Sequence, residues 1–469
     1  MTVRNPETST TLPETTTTAP RGTPGALTAV ALGFFIVMLD TTIVNVALPR
    51  IGTDLHGGVS LLQWVVDSYT LVFAALLLTT GAACDILGAR RIYLSGLAVF
   101  AIFSACCALA PTGSLLIGAR AMQGIGAAAL VPGSLALLAA AYPNPGDRAK
   151  AIGIWGGVGG IAAAAGPVLG GALITAVGWR AVFWVNLPVV AIAAWLTMRH
   201  TPNPAPAHRR HLDLPGQASA ILALCAITYA VIDAAHTSWS PRNLITLLIG
   251  VAAAAGFVLI ERAKPDPMLP LTLFENRSFS VASFVGLALN LGFYGQFFVL
   301  TLYFQQYRGY GPLTAGLALA PQALGAVIGS PLGGRATARF GAFATMLTGL
   351  LIGAAAFAGL LTFTQTTPYV VIAPLIFAAG LGISLAMPAA TAGAISAAPS
   401  KYAGIAGGVV NSARQTGSVF GVAVLGGFVT TGTFLHGFRL AVAAAAVIFL
   451  VAAAVTGLNL RRRQETSNT

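Results

Sequence analysis

Fourteen apolar runs, each long enough to cross a bilayer, leave this chain few ways to fold. They fall at roughly residues 26–49, 60–83, 92–110, 115–141, 150–177, 180–198, 215–234, 243–261, 278–304, 312–334, 343–364, 368–391, 404–430 and 438–460. About twenty apolar residues span the hydrocarbon core as a helix. In lipid every backbone polar group must be satisfied internally, so runs of this length predict helices and not loops. Of 469 residues 56% are hydrophobic and 8% charged, with a mean hydropathy of +0.81, a composition outside the soluble globular class. The expectation is an all-α integral membrane protein, two six-helix bundles with two extra spans between them.

A net charge of +12 would suit a nucleic-acid binder, but the placement of the charge speaks against one. Eighteen of the 25 Lys and Arg residues fall in the termini and alternate loops, among them Arg90, Arg91, Arg148, Lys150, Arg209, Arg210, Arg335, Arg339 and Arg461. That asymmetry is the positive-inside pattern, and with an even span count it predicts a multi-pass cytoplasmic-membrane protein with both termini in the cytoplasm. The partners expected are the lipid bilayer, protons and a small amphipathic substrate, with no nucleic acid and a monomeric chain. Three lysines against an abundance of Arg, Ala and Gly suggest a GC-rich bacterial genome. Cys84, Cys106, Cys107 and Cys225 have no metal-type spacing and read as free thiols.

Residues 1–24, rich in Thr and Pro, are expected to be a disordered cytoplasmic tail. Two proline-bearing basic loops, 199–214 and 261–277, then divide the chain into an N-terminal bundle (25–198), a linker with spans seven and eight (199–277), a C-terminal bundle (278–460) and a tail (461–469). A weak repeat supports the division. The turn 81–91 (GAACDILGARR) after span two and the turn 334–341 (GRATARFG) after span ten share a seven-residue glycine separation. Parallel repeats of this kind build many secondary transporters, whose substrate site lies between the halves near the bilayer midplane. Ala338 stands where the first copy has Asp85.

Span five contains residues 156–173, GGVGGIAAAAGPVLGGAL. Gly156 and Gly160, then Gly166 and Gly170, are four apart and share faces of a helix, while Pro167 removes a backbone donor. The stretch reads either as a helix that bends and slides against a partner or as a tightly packed structural one.

Ionisable groups inside spans are functional candidates by default. Asp40, Asp67 and Arg120 lie about nine, seven and five residues from the outer ends of their spans, a common slice roughly 8–13 Å deep at 1.5 Å per residue. A carboxylate pair beside a guanidinium can take up and release a proton, though an ion pair that only fixes helix packing has the same composition. Asn45, Gln123, Asn290, Tyr294, Gln296, Gln322, Asn411, Arg414 and Gln415 are the further polar positions expected to line a cavity, or to bridge helices; Asn411, Arg414 and Gln415 share one face. Asp233 is expected to be exposed at the outer end of span seven. Gly81, Asp85, Gly88, Arg90 and Arg91 form a loop in which glycine permits a tight turn and Asp85 either caps a helix start or pairs with an arginine. No H-E-x-x-H, G-x-S-x-G or P-loop motif is present, so an intramembrane hydrolase and an ATP-driven pump are not supported. No cofactor is expected beyond the proton motive force.

Taken together these stretches resemble the major facilitator superfamily and, within it, the fourteen-span drug/proton antiporters. Residues 39–49 (LDTTIVNVALP) look like that family's first-span motif, 81–91 like the superfamily loop motif, and 120–128 (RAMQGIGAA) like the fourth-span motif. Residues 166–171 (GPVLGG) are similar to the fifth-span antiporter motif, with Ala162 in place of a usual glycine, and 411–417 (NSARQTG) to a late-span motif. The resemblance covers residues 28–461. It implies a proton-coupled antiporter exporting amphipathic drugs or antibiotics by alternating access, with Asp40 and Arg120 in coupling and Gly166, Pro167, Gly170 and Gly171 in the conformational helix. Asp67 enters on its depth, not on a motif. Export of an endogenous metabolite, or proton-coupled import of a small nutrient, are the alternatives within transport.

Overall fold

The computed structural model describes residues 23–203, 213–237, 240–264, 267, 269–399, 402–430 and 432–468. Most of the expected N-terminal tail and the basic cluster His208, Arg209, Arg210 and His211 lie outside these residues. The described chain is helical, with no strand: α1 (Pro24–Asp54), α2 (Val59–Leu87), α3 (Ala89–Leu109), α4 (Gly113–Ala141), α5 (Pro145–Ala176), α6 (Ala181–Trp184), α7 (Asn186–His200), α8 (Leu214–Thr237), α9 (Pro241–Ala263), α10 (Arg277–Leu302), α11 (Pro312–Phe340), α12 (Ala342–Leu360), α13 (Tyr369–Ala397), α14 (Ala403–Phe428) and α15 (Phe434–Asn468). Their starts are written in the sequence. Thr23, Thr112, Asn144, Ser240 and Asn276 each accept a hydrogen bond from a first-turn backbone N–H, and Pro24, Pro145 and Pro241 take the first helical position, where the missing donor costs nothing.

Thirteen segments of the described chain are long and apolar enough to cross a membrane. The fourteenth expected span is α14, whose residues 411–416, NSARQT, lower its mean hydropathy. The sixth span is broken: α6 and α7 meet at Val185, because Pro188 has no N–H to offer the Trp184 carbonyl and its ring crowds that turn. At the other end of the ninth span, α10 runs into a π-helical turn, Tyr303–Tyr307, which hydropathy does not signal.

The start of α1 and the end of α15 lie at one end of the helical bundle, here the termini side. Helices α1–α7 and α10–α15 form two bundles, and the α8–α9 hairpin rests its α8 against both α2 and α14, at the seam. Gln217 of α8 donates 2.5 Å to the Ala75 carbonyl of α2, and Thr430, just beyond α14, donates 2.9 Å to the Ala235 carbonyl. The two expected repeat turns have one backbone geometry. Gly88 joins α2 to α3 at φ 94°, and Gly341 joins α11 to α12 at φ 86°, a conformation that only glycine adopts freely. Asp85 lies in the last turn of α2, exposed, four residues before α3 begins.

The halves meet on the side away from the termini. A Cβ added to Gly171 of α5 would lie 2.6 Å from the Pro312 carbonyl oxygen of α11, and the Pro167 carbonyl abuts Gly316. Gln305, carried by the π-helical turn, donates 2.9 Å to the Val46 carbonyl of α1. Gln63 of α2 donates 3.0 Å to both the Val422 and Ala423 carbonyls of α14. Toward the termini side, Gly153, Gly156, Gly157 and Gly160 of α5 face open space. Of the glycine face expected to slide, Gly166 and Gly170 are packed on Thr42 and Ile43 of α1, while Gly156 and Gly160 are open.

Candidate functional site

The sequence offers three ionisable groups at one depth, and the helices bring two of them into contact. Asp40 of α1 and Arg120 of α4 are fully buried, with Arg120 Nη1 2.5 Å from Asp40 Oδ2. The other carboxylate oxygen, Oδ1, accepts from Gln123 Nε2 and from Asn186 Nδ2, each at 3.0 Å. Arg120 also donates to Gln123 Oε1 (2.8 Å) and, through Nε, to the Val65 carbonyl (3.1 Å). Its guanidinium carbon lies 4.1 Å from the Tyr69 ring centroid and 5.9 Å from that of Phe183. A buried ion pair is tolerated when its remaining lone pairs and protons are met in this way. Gln123, expected to line a cavity, belongs instead to this closed network.

Asp67 stands apart from it. Fully buried on α2, it has neither carboxylate oxygen hydrogen-bonded. It lies one turn beyond Gln63 on the same helix face, the face whose Gln63 bonds to α14 across the seam. A buried carboxylate needs a counter-charge, a donor or a proton. The expected triad is therefore one neutralised pair and one uncompensated acid at the joint between bundles.

The other predicted positions divide between helix bridges and the seam. Asn45 Nδ2 donates to its own helix at the Thr41 carbonyl (2.8 Å), leaving Oδ1 buried and unpartnered. Asn290 of α10 donates 3.1 Å to Ser418 Oγ of α14, and Gln322 of α11 reaches Gln296 of α10 at 3.5 Å. Tyr294, Asn411 and Arg414 are half-buried, and Gln415 is buried. Among the described residues Arg414 forms no ion pair with a carboxylate: its Nη2 points at Met387 Sδ, 3.0 Å away. Asp233 is half-buried and not exposed. In the loop motif Arg90 Nη2 donates 2.5 Å to the Met198 carbonyl at the end of α7, and a Cβ added to Gly81 would lie 3.8 Å from Pro132 of α4.

Four contributors were missed in the sequence: Asn186, Tyr69, Gln63 and Gln305. Asn186 was legible, an amide inside an apolar span that also bonds Ser104 Oγ at 2.9 Å. Tyr69 reads as a packing aromatic until Arg120 is seen over its ring. Gln63 and Gln305 lie near helix ends, where an amide needs no explanation.

A helical bundle of two similar halves, with charged groups buried inside it, has the architecture of a membrane transporter. The family model described as Major Facilitator Superfamily matches residues 30–422. The chain belongs to the major facilitator superfamily. This multi-pass membrane transporter, which is not an enzyme, is 36% identical over 427 residues to the methylenomycin A resistance protein of Streptomyces coelicolor, covering 91% of this chain and 90% of that one. It is 35% identical to the tetracenomycin C resistance and export protein of Streptomyces glaucescens, covering 87% and 76%. Among solved structures, a bacterial homolog of the human lysosomal transporter Spinster, in an inward-facing and unoccupied conformation, superposes with a TM-score of 0.65 at 18% identity, over 93% of this chain and 96% of that one. Among the described residues no group of His, Cys, Asp and Glu could hold a metal ion.

Proposed function

We propose that this major facilitator exports amphipathic drugs or antibiotics from the cytoplasm in exchange for protons, by alternating access. The observation that carries the reading is Asp67, an uncompensated buried carboxylate on the α2 face that meets α14, separate from the charge-neutral Asp40–Arg120 pair. The two relatives named for antibiotic resistance supply the direction and the class of cargo. With the termini in the cytoplasm, as the arginine-rich loops require, the contacts through Gly171, Gly316 and Gln305 close the outer side and the open glycine face of α5 borders the inner one.

In this scheme Asp67 is the proton carrier. Proton and substrate must each lower the other's affinity for exchange to occur. That condition holds if an ionised Asp67 receives a donor from the substrate and a protonated one does not. The Asp40–Arg120 pair, tied to α4 by Gln123 and to α7 by Asn186, couples the state of α1 to the bundle around it. No cofactor enters: the energy is the proton gradient, and the working unit is a monomer.

The test is dye movement by purified protein in liposomes, with and without an imposed pH gradient. Wild type should accumulate dye only with the gradient. Asp67→Asn should bind dye but lose gradient-driven movement. Wild-type transport that ignores the gradient would sink the antiport reading, and full gradient coupling in Asp67→Asn would remove Asp67 from it.

A further inference from the structure

Two guanidiniums lie in the interior of the described chain, and they are treated oppositely. Arg120 is met by a carboxylate, an amide and a backbone carbonyl. Arg414, the twelfth residue of the 26 in α14 and so near the middle of the bilayer, is met by a thioether. Its Nε is buried with no acceptor, and among the described residues it forms no ion pair. A thioether sulfur is a weak acceptor, so a fork of five donors is left nearly unanswered. An unpaired cation at this depth is among the most expensive groups a membrane protein can hold.

The surroundings are shaped to keep it there. The stem runs past Gly286 of α10, where a Cβ would sit 3.2 Å from Arg414 Cγ. Met387 of α13 flanks the guanidinium, and Tyr294 of α10 packs edge-on against Phe293 with centroids 5.1 Å apart. The cation therefore lies between α10 and α13, with an apolar and aromatic flank.

The geometry points to Arg414 as the anion-recognising group of the cargo site: the exported molecule carries an ionised carboxylate that seats on this guanidinium while its apolar body lies against Tyr294 and Met387. This deepens the exporter reading and rests on it. A planar fork pairs with a carboxylate through two parallel hydrogen bonds. One guanidinium, with no second cation beside it, answers a monoanion and would leave a phosphate dianion half-neutralised. Lipid phosphates lie at the interfaces, out of reach of a midplane side chain.

The test is equilibrium binding of rhodamine B and its ethyl ester, which differ by one ionised carboxylate, to detergent-purified protein by fluorescence polarisation. No gradient is applied, so the preference is read even in a protein that fails to pump the dye, and failure of proton-coupled export stays distinguishable from failure at Arg414. Wild type should favour the carboxylate by about tenfold, the scale of a charged hydrogen bond. Arg414→Gln should bring the two affinities together by weakening the carboxylate alone. Arg414→Lys, which keeps the charge, should retain part of the preference and checks that the site still folds. Equal affinities in wild type, a preference for the ester, or an equal loss of both dyes in Arg414→Gln would overturn the assignment.

Discussion

Asp40 and Asp67 are both carboxylates with no measurable exposure, yet replacing each by asparagine should have opposite consequences. Asp40 accepts three hydrogen bonds, one of them the 2.5 Å bond from Arg120. Asp40→Asn preserves shape, removes the counter-charge and turns an amide NH₂ toward at least one existing donor. Stripping one partner from a buried ion pair costs about 3–5 kcal/mol, because the remaining charge is stranded in low dielectric. Arg120 keeps Gln123 Oε1, the Val65 carbonyl and the Tyr69 ring, which places the expected cost near the low end, about 3 kcal/mol. Asp67→Asn has no hydrogen bond to lose, and its cost should stay within about 1 kcal/mol. The assay is reversible unfolding in mixed micelles followed by tryptophan fluorescence, with Asp40→Asn/Arg120→Gln completing a double-mutant cycle. The double variant should recover about 2 kcal/mol of the summed single costs. A loss in Asp67→Asn equal to that in Asp40→Asn, or a double variant that costs the full sum, would show that the pair is not what stabilises this region.

Asn186→Ala removes one of the two amide donors to Asp40 Oδ1 and the bond to Ser104, and should cost about 1–3 kcal/mol in the same unfolding assay. Gly171→Val would drive a branched side chain into the Pro312 carbonyl and hold the outer side apart; a cysteine at Leu313 should then be labelled by a membrane-impermeant maleimide, and dye export should fall. Gly160→Ala, facing open space, should leave stability unchanged within about 0.5 kcal/mol. At the foot of the α8–α9 hairpin Asp213 is paired with Lys264 and accepts 2.8 Å from the Gly216 N–H; burial pushes its carboxyl up, but these donors outweigh burial and hold it below the usual carboxylate range. A carboxyl lowered on folding contributes stability above its unfolded value of about 3.9 and loses it as pH falls through the folded one. Acid unfolding of wild type should therefore set in below about pH 4, and Asp213→Asn should flatten that limb of the pH–stability curve.

Much of this protein could be read without its structure, and the reason is the bilayer. A hydrocarbon solvent forces each long apolar run into a helix, so the spans, the caps at Thr23, Thr112 and Asn144, and the turn at Gly88 follow from local sequence. Depth is equally legible, since the rise per residue is constant, and Asp40 and Arg120, expected in one slice, are in contact. Depth does not say which way a side chain points around its helix or which helix it meets there. Only packing decided that Arg120 takes Asp40, that Asn186 completes the pair from a seventh helix, and that Asp67 turns instead to the seam with α14. The same limit hid the π-helical turn that carries Gln305 across to Val46, and left Arg414 indistinguishable from a paired arginine. Hydropathy and spacing are properties of a chain one helix at a time. A counter-charge is a property of two helices, and it exists only once their rotation and contact are set by the whole fold.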